Sequence, residues 1–466
     1  MTRSWIKDIK HVYLLGAGGI GMSALGRYFL ARGARIYGYD RTPGPTTEAL
    51  IRLGASIHFE DNPGLIDEVF LKAPPEKRLL IYTPAIPAES QELQFFLKQG
   101  IQPVKRSEVL GWIAENSFTI AVAGTHGKTT TTALIAYLLN MAGRRPTAFV
   151  GGLIRQLETN FMEGDGSLTV LEADEYDRSF LHLKPALAIV TSAEPDHLDI
   201  YGSGEGVRQG FLAFIQNIQP GGTLIIAQQA LKDLALKPTN LREDLKVLTY
   251  GDQDDSAYLI SPKSSHTFSI QGPKNFAAEL PLPMPGRHNA LNAGAATLTC
   301  LELGLDLRQI AEGMTSFPGL HRRLERIIET PDLVFYDDYA HHPTEIEACI
   351  ASLRELAPGK PLNGIFQPHL YTRTRDFAEG FAAALDKLDT AILMPVYPAR
   401  EKPIPGVESA LLLDLMKNPN RYLAAHPEIL PLLERLQPKG VLVTLGAGDI
   451  DRLVPKIKQW LIKGKV

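Results

Sequence analysis

Short apolar runs rich in β-branched residues alternate with longer stretches of helical period along almost the whole chain. "HVYLLGA", "RIYGYD" and "RLLIYTPA" form one series, with helical patterns between them. Two strands separated by a helix pair in parallel through a crossover, so the alternation predicts open parallel sheets built from βαβ units. A chain of 466 residues is too long for one such core and implies roughly two to four domains. "SFTIAVAG" opens a second series, continued by "LTVLEAD", "ALAIVTSA" and "TLIIAQ". The first boundary falls in "GIQPVKRSEVLG". From about Val247 to Pro285 the helical period vanishes, and "VLTYG", "AYLISP" and "TFSIQG" read as short antiparallel strands. A third series begins near "SFPGLHRRLERI" and runs through "LVFYDDYA", "NGIFQP", "TAILMPV" and "GVLVTLGAG". The expected domains are therefore residues 1–106, 107–316 and 317–466, the middle one carrying a small β insertion.

Two glycine loops join a strand to a helix. In "LLGAGGIGMSALG", Gly16, Gly18 and Gly21 fit G-x-G-x-x-G, and Asp40 closes the next strand, the pattern of a dinucleotide site. In "AVAGTHGKTTTT", Gly124, Gly127, Lys128 and Thr129 fit a phosphate loop. Unpaired N–H groups at the helix start favour anions, Lys128 supplies charge for the β- and γ-phosphates, and the Thr129 hydroxyl is placed for Mg²⁺. The general phosphate-loop pattern has glycine at position 122, where this chain has Val122. A dehydrogenase does not need the second loop, which sets a nicotinamide-dependent oxidoreductase behind a nucleotide-using enzyme.

Other candidates lie at predicted strand ends, where open α/β sheets bind ligands. Glu172 ends "SLTVLEADEYD", with Asp174, Glu175 and Asp177 after it. Glu172 suits Mg²⁺, whereas helix capping is the reading for the other three. His197 follows the next strand. "YDDYAHHPTE" places Asp337, Asp338, His341 and His342 together, without the cysteines or Glu-x-x-His helix of a zinc site. "FQPHLYTRTRDF" offers His369, Arg373 and Arg375, and arginines of this kind can grip carboxylate or phosphate with paired N–H bonds.

The net charge of −4 gives no bulk footprint for nucleic acid. Two cysteines, Cys300 and Cys349, sit in apolar helical stretches and read as buried small hydrophobes in a reducing compartment. No run approaches the roughly 18 apolar residues of a membrane span, and no cleavable leader is evident, so a cytoplasmic protein is expected.

Taken together, "GAGGIGMSALG", "GTHGKTTTT", "EADEYDRSFLHLKP", "EPDHLDIYG", "GRHNALNA", "DDYAHHPTE", "FQPHLYTRTRDF" and "PIPG" resemble, in this order and over essentially the whole chain, the Mur ligase family. The resemblance implies an α/β fold of three domains: a Rossmann-like N-terminal domain, a central P-loop ATPase-like domain and a C-terminal Rossmann-like domain. It implies ATP-dependent ligation of L-alanine to UDP-N-acetylmuramate in cytoplasmic peptidoglycan precursor synthesis, through an acyl phosphate, with Mg²⁺ as cofactor. The chain would act as a monomer or homodimer, with no nucleic-acid or membrane partner. Gly16, Gly18, Gly19, Ile20 and Gly21, with Asp40, would serve the UDP-sugar. Gly124, Thr125, His126, Gly127, Lys128, Thr129 and Thr130, with Asn289, Arg323 and Asp338, would serve ATP. Thr129, Glu172 and His197 would hold the metal. Tyr339, His341 and Arg373 would surround the amino acid, and Lys128, His197, His341 and Arg373 would be the catalytic set.

The chain departs from the family at two positions. Leu370 stands where an arginine is common, and Ala340 where glycine is usual. Later-acting relatives carry a carbamylated lysine after the metal histidine. No lysine occurs from Leu198 to Gly221, which fits the first-step branch. A ligase that attaches a ready-made peptide to the same UDP-sugar is the nearest rival.

Overall fold

The computed structural model describes residues 4–196, 198–399 and 401–463. It is an α/β protein of three sheets. The first holds β1 (His11–Leu15), β2 (Arg35–Tyr39), β3 (Ser56–His58), β4 (Arg78–Tyr82) and β5 (Val104–Lys105), all parallel, in the order β3-β2-β1-β4-β5. This is the doubly wound order 3-2-1-4-5, in which chain order reverses beside β1, between β1 and β4. The glycine loop leaves β1 at its carboxyl end and enters α1 (Ile20–Ala31).

The second sheet holds β6 (Phe118–Ala123), β7 (Thr147–Ile154), β8 (Thr159–Met162), β9 (Leu168–Glu172), β10 (Leu187–Val190), β11 (Thr223–Ala227), β12 (Lys246–Gly251), β13 (Tyr258–Ser264), β14 (Thr267–Gly272) and β15 (Phe276–Pro281). Its order is β15-β14-β13-β12-β11-β10-β6-β9-β7-β8. The expectation of an antiparallel "VLTYG" is corrected here, because β12 pairs in parallel with both β11 and β13. Its crossover uses a helix of only six residues, Gln228–Asp233, too short to register as a helical period.

The third sheet holds β16 (Glu325–Glu329), β17 (Leu333–Asp338), β18 (Leu362–Phe366), β19 (Thr390–Leu393), β20 (Arg421–Leu423) and β21 (Gly440–Leu445), in the order β16-β17-β21-β18-β19-β20. Only the β16–β17 pair is antiparallel among these neighbours. Strands β18 and β21 are buried along their full length, as central parallel strands must be when helices cover both faces.

The chain divides into two compact units. One comprises Met1–Ser261, Ser269–Pro281 and Leu291–Pro318, and the other Pro262–Phe268, Leu282–Ala290 and Gly319–Val466. The first sheet and all of the second but residues 262–268 of β13 and β14 therefore share one unit, and particular side chains join the two sheets. Tyr28 of α1 packs its ring against Phe149 and Phe161, at centroid distances of 5.6 and 6.1 Å. The fully buried Asn160 donates through Nδ2 to the Ile20 carbonyl at 2.6 Å and to Ser23 Oγ at 3.0 Å. The helix that follows the first glycine loop is thus fixed to the edge of the second sheet. Cys300 and Cys349 are both free and buried, as their apolar settings implied, and burial pushes both thiols up. Among the described residues no helix is long and apolar enough to cross a membrane.

The first sheet also buries a carboxyl group. Tyr13 Oη donates to Glu92 Oε2 at 2.7 Å, the Asn62 N–H to Glu92 Oε1 at 3.3 Å, and His58 Nε2 lies 3.2 Å from Oε1. Burial pushes the Glu92 carboxyl up to about 7. From its ordinary 4.5 up to that value, the folded chain holds this proton more tightly than the unfolded chain does. The group's contribution to stability is therefore lost as pH rises through that window. Glu92→Gln keeps the shape and cannot ionise. Thermal melts should show the variant gaining on the parent between about pH 5 and pH 8.

Candidate active site

After α2 (Arg106–Ala114) and β6, the second glycine loop spans Gly124 to Gly127 and leads into α3 (Lys128–Met141). Val122 is fully buried and pairs with Glu172, so β6 continues to Ala123 and the loop begins two residues later than the general pattern requires. Gly127 caps α3 without a side chain, which leaves the first-turn N–H groups of the helix facing outward. The segment after β10 holds the loop in shape. Thr125 Oγ1 donates to the Glu194 carbonyl at 2.7 Å, and Ser192 Oγ accepts the His126 N–H at 2.7 Å.

Lys128 Nζ donates to the Gly124 carbonyl at 2.6 Å and reaches Glu175 Oε1 at 2.8 Å. Burial alone would push this ammonium down. The carboxylates of Glu175, Asp174 and Glu172 outweigh it and hold the group above the ordinary lysine range. The capping reading of Glu175 is corrected here. Its side chain caps no helix, is 2% exposed, and pairs with the loop lysine. Asp174 does accept a local N–H, from Tyr176 at 3.1 Å, and Asp177 pairs with Lys105 at 3.0 Å.

Glu172 ends β9 beside β6. Its Oε2 accepts the Gly151 N–H at 3.0 Å, and a Cβ on Gly151 would stand 2.2 Å from that oxygen. A Cβ on the neighbouring Gly152 would touch Thr129 Cγ2 at 3.1 Å. Two adjacent glycines of β7 thus line up beside the two oxygen donors, Glu172 and Thr129. A hydroxyl and a carboxylate are the donor types that suit Mg²⁺. His197, the third expected ligand, lies outside the described residues.

At the first glycine loop the Asp40 carboxylate is engaged locally. Asp40 Oδ2 accepts the Gly18 N–H at 2.7 Å and Oδ1 accepts the Thr42 N–H at 3.2 Å, so this carboxylate braces the loop. Gly16 and Ala17 donate to the Tyr39 carbonyl. Gly19 caps α1 with no side-chain bond, leaving Ile20 and Gly21 in the first turn. The guanidinium of Arg106, at the start of α2, lies over Gly21, where a Cβ would stand 2.5 Å from it. Arg106 also comes within 3.6 Å of Asp174. The third glycine of the motif makes room for a cation, which the sequence pattern did not indicate.

In the second unit, four expected residues converge at the carboxyl end of β17. Asp338 accepts the Leu324 N–H at 2.6 Å and the Ala340 N–H at 2.8 Å, and burial pushes its carboxyl up to about 6. The Arg323 guanidinium lies 5.3 Å from the Tyr339 ring centroid. His341 Nδ1 is 2.9 Å from the Tyr339 carbonyl, and its ring meets those of Tyr339 and His369 at 5.2 and 6.2 Å. Arg373 is buried on the helix Tyr371–Asp376, whereas Arg375 pairs with Asp376 at 2.7 Å near the surface. Leu370 is buried with φ +70°. Ala340, in place of the usual glycine, is accommodated without positive φ. Asn289 is buried on α4 (Arg287–Glu302) and donates through Nδ2 to the Pro285 carbonyl at 2.8 Å. His342 is buried beside Phe377 rather than presented with His341.

Three family models match in chain order: the Mur ligase family catalytic domain over residues 11–118, the Mur ligase middle domain over 122–300, and the Mur ligase glutamate ligase domain over 322–448. The chain belongs to the Mur ligase family. It is 45% identical to the UDP-N-acetylmuramate–L-alanine ligase of Porphyromonas gingivalis, covering 97% of this chain and 99% of that protein. The crystal structure of the UDP-N-acetylmuramate–alanine ligase of Thermotoga maritima superposes with a TM-score of 0.80 at 27% identity, over 97% of this chain and 99% of that one. A murein peptide ligase from Psychrobacter arcticus shares the fold, with a TM-score of 0.71 at 21% identity over 97% and 98% of the two chains.

Proposed function

We propose that this chain joins L-alanine to UDP-N-acetylmuramate at the expense of ATP, in peptidoglycan precursor synthesis. The observation that carries this is the full-length 45% identity to a ligase named for that reaction. A carboxylate is a poor acyl donor. Attack of the muramyl carboxylate on the γ-phosphate of ATP gives an acyl phosphate and ADP, and the alanine amine then displaces phosphate to form the amide. Bringing two anions together requires positive charge at fixed positions, which is most of what catalyses phosphoryl transfer.

In this reading residues 1–106 take the UDP-sugar, residues 107–316 take ATP, and residues 317–466 supply amino-acid and nucleotide contacts. The loop N–H groups and Lys128 cradle the β- and γ-phosphates. Thr129 and Glu172 would hold Mg²⁺, which would neutralise phosphate charge during transfer. The first loop, with Arg106 over Gly21, receives the diphosphate of the sugar nucleotide, while Asp40 shapes the loop from behind. Asn289, Arg323 and Asp338 serve the nucleotide, and Tyr339, His341 and Arg373 the incoming alanine.

Phosphate release with ATP, UDP-N-acetylmuramate and a panel of amino acids tests the reading. L-Alanine should support turnover well above serine and glycine. A methyl or hydroxyl is worth about 1–3 kcal/mol of discrimination, so the margin should be roughly 10- to 200-fold. Turnover with the murein tripeptide and none with L-alanine would replace this reading with wall recycling.

A further inference from the structure

The Lys128 ammonium has three hydrogens to donate, and three protein groups surround it. Two are loop carbonyls, Gly124 at 2.6 Å and Thr125 at 3.4 Å. The third is the Glu175 carboxylate at 2.8 Å. A phosphate oxygen can reach this ammonium only by taking one of those places. The carbonyls belong to the loop that cradles the phosphates and cannot leave without dismantling it. Glu175 is a side chain, and its backbone is anchored separately by Tyr201 Oη, which donates to the Glu175 carbonyl at 2.8 Å. Phe180 N–H bonds the Asp174 carbonyl at 2.9 Å and steadies the same turn. The backbone of this turn is therefore held independently of the carboxylate–ammonium pair.

We propose that Glu175 is a positioning residue that stands in for the γ-phosphate. It holds the Lys128 ammonium in place between turnovers, yields it to a phosphate oxygen when ATP binds, and reclaims it as the phosphate product leaves. No bond is made or broken in the exchange, because one anion replaces another on the same cation. The burial of Glu175 gives the cycle its direction. A carboxylate separated from its cation inside the protein is costly, so the pull to re-form the pair opposes retention of phosphate. This role rests on the reading of Gly124–Thr129 as the ATP loop.

The test compares the parent enzyme with Glu175→Gln and Glu175→Asp in phosphate release from ATP, UDP-N-acetylmuramate and L-alanine. Glutamine can accept a hydrogen bond but cannot neutralise Lys128. The E175Q enzyme should bind inorganic phosphate as a product inhibitor about five- to tenfold more tightly, since each tenfold corresponds to about 1.4 kcal/mol of lost competition. Its KM for ATP should fall, and its kcat should fall with an initial burst of ADP ahead of a slower steady state. E175D keeps the charge one methylene short and should lie between the two. A purely structural Glu175 would give the opposite sign, with a higher KM for ATP, weaker or unchanged phosphate inhibition and no burst, and that result overturns the proposal. Should E175Q not fold, the direction of the phosphate-inhibition shift in E175D decides. A parent enzyme that releases no phosphate with these substrates would instead overturn the functional reading.

Discussion

Lys128→Ala should abolish ligation, lowering kcat by at least about 10³-fold, while UDP-N-acetylmuramate binds within about twofold of the parent. The variant removes the cation that both loop carbonyls and Glu175 surround. Helix N–H groups remain, but the charge needed to bring a carboxylate up to a triphosphate is gone. A second effect follows from burial. Glu175 loses its partner in a site where its side chain is 3% exposed, and breaking a buried pair from one side costs about 3–5 kcal/mol. A lower melting temperature should therefore accompany the loss of activity. The glycine loop proposed for the sugar nucleotide sits at the end of β1, on a different sheet from the loop proposed for ATP at the end of β6. Calorimetric titration with UDP-N-acetylmuramate separates the outcomes. Equal loss of sugar-nucleotide binding and turnover would mean that the two phosphates do not occupy separate loops.

The strands that were legible in the sequence are those buried on both faces. "TIAVA", "LAIV" and "VLVTL" are continuous apolar runs because helices cover both sides of a parallel sheet. Strands β3, β5 and β20 have three residues or fewer, and β7 and β8 form an irregular antiparallel edge with a register shift. The first kind is too short to carry a period, and in the second the Gly151–Gly152 pair and the register shift break the alternation. The second glycine loop stands out in the sequence because its pattern is local: glycine, lysine and threonine lie within six residues of chain, between a strand and a helix. The side chains that complete it come from elsewhere. Glu175 stands 47 residues from Lys128, and Asn292 approaches Thr131 across 161 residues. Arg106 meets Gly21 for a reason visible only in strand order and helix placement. Spacing along a chain does not say which strand ends are neighbours. The order β10-β6-β9-β7 does, and it brings the ends of four strands to one loop. Asp40 shows the converse. Its position fits a ribose-binding carboxylate, yet its oxygens already accept the Gly18 and Thr42 N–H groups.

Gly151→Ala should impair the enzyme as severely as many substitutions of a direct ligand. Gly151 has no positive φ, so alanine is acceptable to the backbone there. The difficulty lies in what its Cβ meets. It would stand 2.2 Å from Glu172 Oε2 and 2.7 Å from Cδ, contacts that no side chain tolerates, so the Glu172 carboxylate must turn away. Displacing a group in a phosphoryl-transfer site by about 1 Å can cost 10²-fold, and kcat should fall by about that factor. If Glu172 holds Mg²⁺ with Thr129, the magnesium concentration for half-maximal phosphate release should rise about tenfold or more, since a strained carboxylate must be drawn back to the metal. The neighbouring glycine provides the control. In Gly152→Ala the added methyl meets only Thr129 Cγ2, at 3.1 Å, a contact relieved by a shift of a few tenths of an ångström. That variant should keep most of its activity and its magnesium dependence. Magnesium titrations of the two variants, run beside thermal melts, therefore separate loss of the carboxylate from general damage to β7. An unchanged magnesium requirement in Gly151→Ala, with kcat reduced, would take Glu172 out of the metal site and leave it a role in packing the end of β9 against β7.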